Sequence, residues 1–288
     1  MLRGLYTAAS GMIAQQRRHD MLTNNIANLN TPGFKASNAV NRSFPDMLIS
    51  ALGGPNPSDS KVGRLSLGVF SEESLLSMSQ GDLRETYRAQ DMALISDMLV
   101  DGTAFDASGK SVGENGAVSY QPQAYFALLS GQGQERYTRD GSFTTAQDGT
   151  LMTADGLAVA GTNGQPIQVT VPWEQVSVTA DGRLLNAASG VPLEGEPQLR
   201  IMRVENPNLL VREGDGRFRY AGNVEGIRQI TADERVAVRQ GYLERSNVDA
   251  AQSSVDIMAA LRAYEANQKV IQTYDRSLEK TVNDVGRV

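Results

Sequence analysis

From Ala250 to Val285 the chain repeats in alternating steps of four and three, through Ser254, Ile257, Leu261, Tyr264, Gln268, Ile271, Asp275, Leu278 and Val282. Eight of these eleven positions are apolar, which is the period of a helix with one apolar seam. A helix over about 248–284 would be roughly 55 Å long at 1.5 Å per residue. Ser246 or Asn247 is placed to cap it, since either side chain can accept from the first free amides. A helix with a single apolar stripe must bury that stripe against something. A second, weaker amphipathic segment over residues 3–28 places Leu2, Leu5, Ala9, Met12, Ile13, Gln16 and Ile26 near one face, for a helix of roughly 39 Å. The simplest partner for each terminus is the other.

Between the termini the texture changes. After a short candidate helix over 45–52, the stretch "GGPNPSDS" at 53–60 concentrates glycine and proline as a linker does. Further on, the punctuation is Asp-Gly or Asn-Gly, at Asp140-Gly141, Asp148-Gly149, Asp155-Gly156, Asn163-Gly164, Asp181-Gly182 and Asp215-Gly216. Such pairs favour tight hairpins because both residues tolerate positive φ. Short runs such as "AYFALLS", "GLAVAG" and "PIQVTVP" lie between them, the pattern of many short strands. The expected fold is α+β, mainly β: a central antiparallel β domain flanked by long terminal helices packed as a coiled-coil-like module. The expected organisation is an N-terminal helical assembly segment over 1–52, a connector over 53–84, the β domain over 85–230, a return connector over 231–247 and a C-terminal helical assembly segment over 248–288. A β domain with one long helix at each end cannot cover both helices itself, so part of their apolar surface is left for neighbouring chains.

Composition narrows the function. With a length of 288 residues the chain can bury a substantial core. A formal net charge of −6 argues against nucleic-acid binding, which needs basic surface to neutralise phosphates. No cysteine means no disulfide and no thiolate chemistry. The first residues, "MLRGLYTAASGMIA", interrupt a would-be signal core with Gly4, Thr7, Ser10 and Gly11, so no cleaved signal peptide is expected. No stretch reaches the ~20 apolar residues of a membrane-spanning helix.

Catalytic constellations are scarce. His19 is the sole histidine, in a predicted helix, which leaves no Ser-His or Cys-His pair singled out and no His/Cys metal site. The carboxylate-rich pieces "DGTAFD" and "EGDG" lack the order of an EF-hand loop. "SGQGQERY" at 130–137 matches neither a Walker loop nor a dinucleotide fingerprint and reads as a hairpin. No catalytic, metal or cofactor-binding residue is expected. Trp173 is either a core aromatic or a sugar-stacking platform, with core favoured. A cell-wall glycan-binding or hydrolysing protein is the alternative reading.

The segment "NNIANLNTPGFK" at 24–35 holds four asparagines in seven positions and then Thr31, Pro32 and Gly33. Asparagine is a poor helix former that tolerates the left-handed region, and proline cannot continue a helix, so the segment reads as a helix stop. The amides of Asn24, Asn25 and Asn28 can also serve adjacent subunits, since each offers a donor and an acceptor.

Three stretches together resemble one family: "LYTAASGM" with "NNIANLNTPGFK", "YFALLSGQGQERYTRDGSFTTAQDGTLMTADGLAVAGTNGQPI", and "GYLERSNVDAAQSSVDIMAALRAYEANQKVIQTYD". The chain resembles flagellar basal-body rod proteins of the distal-rod type, the FlgF/FlgG group and especially its Gram-positive FlhO/FlhP branch. The stretch 95–120 departs from the compact segment usual there. The resemblance implies a structural, non-enzymatic rod subunit without cofactor, located in the basal body, assembling with copies of itself and with other rod and hook proteins. It also implies delivery by the flagellar type III export apparatus without signal cleavage, and terminal helices forming an inner tube that transmits torque. The residues expected at the assembly interface are Leu5, Ala9, Met12, Ile13, Asn24, Asn25, Ile26, Asn28, Thr31 and Gly33, with Ile257, Leu261, Tyr264, Asn267, Ile271, Leu278 and Val282.

Overall fold

The computed structural model describes residues 2–50, 61–96, 98, 105–106, 109–113, 116–131, 134–231 and 234–286. The expected linker at 53–60 and parts of the atypical stretch 95–120 lie outside the described residues. The fold is mainly β with one helix at each terminus. Two compact units share the chain: Met1–Ala27, Ser37–Leu75 and Asp249–Val288 form the first, Asn28–Ala36 and Leu76–Val248 the second.

In the first unit, α1 (Leu2–Ala27) and α2 (Ala250–Val285) contact each other and run antiparallel, since Gly4 lies against Tyr274 and Gly11 against Asn267. Asp249, not Ser246 or Asn247, caps α2: its Oδ1 accepts from Ala251 N at 2.8 Å and Gln252 N at 3.0 Å. Asn247 is engaged by Ala36 and Ser77 instead. The segment expected to be a short helix at 45–52 is instead a strand, Met47–Ser50, paired with Lys61–Leu65. A three-residue apolar run suits either state, and the partner strand supplies the backbone hydrogen bonds that decide it. A second hairpin pairs Asn41–Ser43 with Val69–Ser71, and α1 packs on Val69–Ser71. There Ser10 Oγ accepts from Val69 N and Arg17 donates to Ser71 O.

The α2 seam is displaced from the expected one. Ser253, Ala260, Asn267 and Tyr274 are turned inward, whereas Ser254, Leu261, Gln268 and Asp275, one residue further on, are exposed. Ile257, Tyr264, Ile271 and Leu278 belong to both phases and are half-buried. Glycines on α1 decide between the phases: Tyr274 lies where a Cβ on Gly4 would sit, and Asn267 covers Gly11. The absent side chains at Gly4 and Gly11 make room for Tyr274 and Asn267, so this phase packs on α1 and Leu261 stays outside.

The second unit is built on a nine-stranded antiparallel sheet. Its central strand, Gln123–Leu129, is buried on both faces. Ala124, Phe126 and Leu128 join a core with Met92, Leu94, Phe143, Leu184 and Ile201. The intervening Tyr125 and Ala127 join a second core with Met202, Val204 and Phe218. That is why "AYFAL" is apolar without alternation. The strand pairs with Glu135–Thr138 through the hairpin expected at 130–137 and with Ile201–Val204 on its other edge. Five of the six Asp-Gly or Asn-Gly pairs carry a left-handed glycine. Gly141 is the exception: its backbone crosses that of Met92 so closely that a Cβ would lie 1.6 Å from the Met92 carbonyl oxygen. Trp173 is buried in the core, its Nε1 donating to Thr145 Oγ1 at 2.6 Å.

The last strands return along the first. Val236–Gln240 pairs with Met92–Ser96, and Tyr242–Glu244 pairs with Leu83–Glu85. This pairing carries Glu244, at the end of the unit, back to its beginning.

Candidate assembly interface

The expected interface residues divide by environment. In the first unit Leu5, Ala9, Met12, Ile26, Ile257, Tyr264, Asn267, Ile271 and Leu278 are half-buried, while Ile13, Asn24, Leu261 and Val282 are exposed. Exposed apolar side chains also include Tyr6, Val255, Met258 and Val270, which the sequence reading did not single out. Val255 and Met258 lie on the side of α2 away from its seam with α1. A groove of about 260 Å³ runs between the helices, lined by Gln15, Gln16, His19, Asp20, Ala260, Leu261 and Tyr264. His19 Nδ1 lies 3.7 Å from Asp20 Oδ1.

Asn25 does something different from its neighbours. It is buried, its Nδ2 donates to Ser37 O at 2.8 Å, and its Oδ1 accepts from Ser37 N at 3.0 Å. The amide thus imitates one rung of a β ladder, tying the last turn of α1 to the segment after residue 36. Both ends of that amide are engaged within the chain.

Asn28, Thr31 and Gly33 belong to the second unit. Thr31 Oγ1 donates to Asn28 Oδ1 at 3.2 Å and Thr31 N to Asn28 O at 3.2 Å, closing the turn that follows the helix. Gly33 has φ +66°, and a Cβ there would lie 2.6 Å from the Arg139 carbonyl carbon. Only glycine combines that conformation with that approach.

Lys35 ends the motif, and the sequence reading gave it no role. It is 1 % exposed, as are Glu244 and Arg139. Its Nζ donates to Glu244 Oε1 at 2.7 Å and to Ser79 O at 2.9 Å. Arg139 Nε donates to the other oxygen, Glu244 Oε2, at 2.9 Å, and its Nη1 to Ala124 O at 2.7 Å. Gly81 N adds a third donor to the carboxylate. Burial alone would raise the Glu244 carboxyl, but Arg139 and Lys35 outweigh it and hold it below the usual carboxylate range. For Lys35, burial and then Arg139 lower the ammonium to about 8 against the pull of Glu244. Around this triad, Gly33 N donates to Glu244 O, Arg212 donates to Lys35 O and stacks on Phe34, and Asn247 Oδ1 accepts from Ala36 N. Asn247 Nδ2 in turn reaches Ser77 O, which explains why it does not cap α2. No signal in the sequence announces the triad, because its members lie at positions 35, 139 and 244 of a chain whose local patterns are complete without them.

Among the described residues there is no group of three or more His, Cys, Asp or Glu able to hold a metal ion, and no helix is long and apolar enough to cross a membrane.

Comparison with known proteins matches three segments to family models: "Flagella basal body rod protein" over residues 5–35, "Flagellar hook protein FlgE/F/G D1 domain" over 121–186, and "Flagellar basal body rod FlgEFG protein C-terminal" over 239–284. The two terminal matches contain Lys35 and Glu244. Relatives match end to end. The flagellar hook-basal body complex protein FlhO of Bacillus subtilis is 33% identical over 292 residues, covering 100% of both chains. The flagellar basal-body rod protein FlgG of the same organism is 30% identical, covering 98% of this chain and 99% of its own. The hook-basal body complex protein FlhP is 25% identical over 96% and 97%. With a full-length relative at this identity and all three segments in order, the chain belongs to the flagellar basal-body rod protein family, of the FlgF/FlgG type and close to the FlhO/FlhP branch.

Proposed function

We propose that this chain is a structural, non-enzymatic subunit of the bacterial flagellar basal-body rod that assembles with copies of itself and with other rod and hook proteins into a helical tube transmitting torque. The terminal helices α1 and α2 do the assembling. The subunit reaches the basal body through the flagellar export apparatus without signal cleavage. The observation that carries this reading is the apolar surface left on the helices after they have packed on each other: Tyr6 and Ile13 on α1, Val255, Met258, Leu261 and Val270 on α2. Water contact with that much hydrocarbon is unfavourable by ~25 cal/mol per Å², and a chain packed on neighbours relieves it. Head-to-tail contacts whose rotation does not close produce a filament, as a rod requires. The seven-residue spacing of Gly4 and Gly11 against that of Tyr274 and Asn267 supports a coiled-coil-like α1–α2 module.

Burial of Trp173 removes the aromatic platform on which a glycan-binding reading would have rested.

The test is the full chain carrying Val255→Glu and Met258→Glu, compared with Val211→Glu in the second unit, each supplied to cells lacking the wild-type copy. The helix double variant should keep its helical content and fail to enter basal bodies, while Val211→Glu enters. Normal incorporation and swimming of the double variant would sink the assembly role of this face.

A further inference from the structure

Lys35, Arg139 and Glu244 place two cations and one anion in a site that water does not reach. Glu244 is the one carboxylate that both cations touch, and it lies 209 residues beyond Lys35. A buried charge that loses its partner is strongly unfavourable, so the segment carrying Lys35 has a reason to dock only where Glu244 is already in place. Besides its bonds with Ser77, Ser79 and Arg212, the returning chain holds this segment at three more points: Gly33 N donates to Glu244 O, Ala36 N donates to Asn247 Oδ1, and Asn247 N donates to Phe34 O. None of the two hydrophobic cores of the second unit includes a residue of 28–36. We propose that residues 28–36 form a strap that closes on the second unit last, with Glu244 as its latch. The strap stays open in any chain whose strand Tyr242–Glu244 has not yet paired, and it can reopen while both cores stay intact.

The latch orders events along the chain. A chain emerges N-terminus first, and residues 28–36 remain exposed until almost the whole second unit has followed. Pairing of Tyr242–Glu244 with Leu83–Glu85 then brings the carboxylate to Gly81, Arg139 and Lys35 together. Closure also joins Ala36 to Asn247, the last residue of the strap to the last but one of the unit. The device needs no partner protein, so it stands or falls independently of rod assembly.

Hydrogen exchange on the full-length chain tests it through the amides of Gly33 and Ala36, with those of Gln123–Leu129 as the core reference. In Glu244→Gln the strap amides should lose protection by roughly a hundredfold or more, the scale on which an uncompensated buried charge is felt, and exchange as an open segment while the core reference stays protected. Adding Lys35→Met to Glu244→Gln returns the buried charge to one cation and should recover much of the lost protection. Lys35→Met alone leaves Arg139 and Glu244 as a neutral pair and should keep the strap closed. Unchanged strap protection in Glu244→Gln, a core reference that opens together with the strap, or a double variant more exposed than Glu244→Gln would each overturn the latch.

Discussion

Lys35 Nζ and Glu244 Oε1 meet at 2.7 Å, both in side chains that are 1 % exposed. The last residue of the N-terminal motif is thereby bonded to the last strand of the β unit, a connection between chain ends made inside one folded unit.

The two partners are not equivalent. Glu244→Gln leaves two buried cations facing each other and should cost about 3–5 kcal/mol of stability of the second unit. Lys35→Met leaves the Arg139–Glu244 pair intact and should cost about 1 kcal/mol or less, since a methionine fills a similar volume. Urea titration of the full chain, followed through Trp173 fluorescence, ranks the two; equal losses would contradict the charge argument.

Rising pH should first strengthen and then weaken the second unit. Lys35 titrates near 8 when folded against 10.5 ordinarily, so between those values the unfolded chain binds the extra proton and folding gains, by at most about 3 kcal/mol. As pH falls through 8 that gain is lost. Tyr137 works oppositely: burial first, then Glu135, push its hydroxyl up to about 12, so its contribution is complete below pH 10 and lost as pH rises through 12. Urea midpoints should therefore rise from pH 8 toward 10 in the wild type, and that rise should be absent in Lys35→Met.

Glycines at two close contacts should respond in opposite ways to alanine. Gly33→Ala forces a side chain into the left-handed region, costing about 1–2 kcal/mol, and drives its Cβ into the Arg139 backbone at 2.6 Å. Gly11→Ala meets the end of the Asn267 side chain, nearest at its amide nitrogen at 3.1 Å, and gains about 0.8–1 kcal/mol of helix propensity. Thermal unfolding should show the first destabilised and the second unchanged or raised.

Asn25→Ala removes both partners of the Ser37 backbone at a buried position. The first unit should lose about 1–3 kcal/mol, read as faster amide exchange at Ser37, whereas Asn24→Ala, at an exposed position, should change exchange there little.

Much of this architecture is legible along the chain because it rests on local rules. Helical periodicity marked α1 and α2, Asp-Gly pairs marked hairpins, and the apolar run "AYFALLS" marked a strand, whose cover on both faces the structure supplied. The family motifs are local strings as well. Tertiary structure decided what local rules leave degenerate. Two seam phases on α2 share Ile257, Tyr264, Ile271 and Leu278, and the glycines of α1 chose the one containing Ala260 over the one containing Leu261. Residues 47–50 became a strand because 61–65 lay beside them. Asn25, read as a residue that could serve a neighbour, was claimed by Ser37. Lys35, Arg139 and Glu244 each look like ordinary surface charges in their own segments. Their burial follows from the pairing of Tyr242–Glu244 with Leu83–Glu85, because the energy of a charge depends on what surrounds it in space and not on its neighbours in the chain.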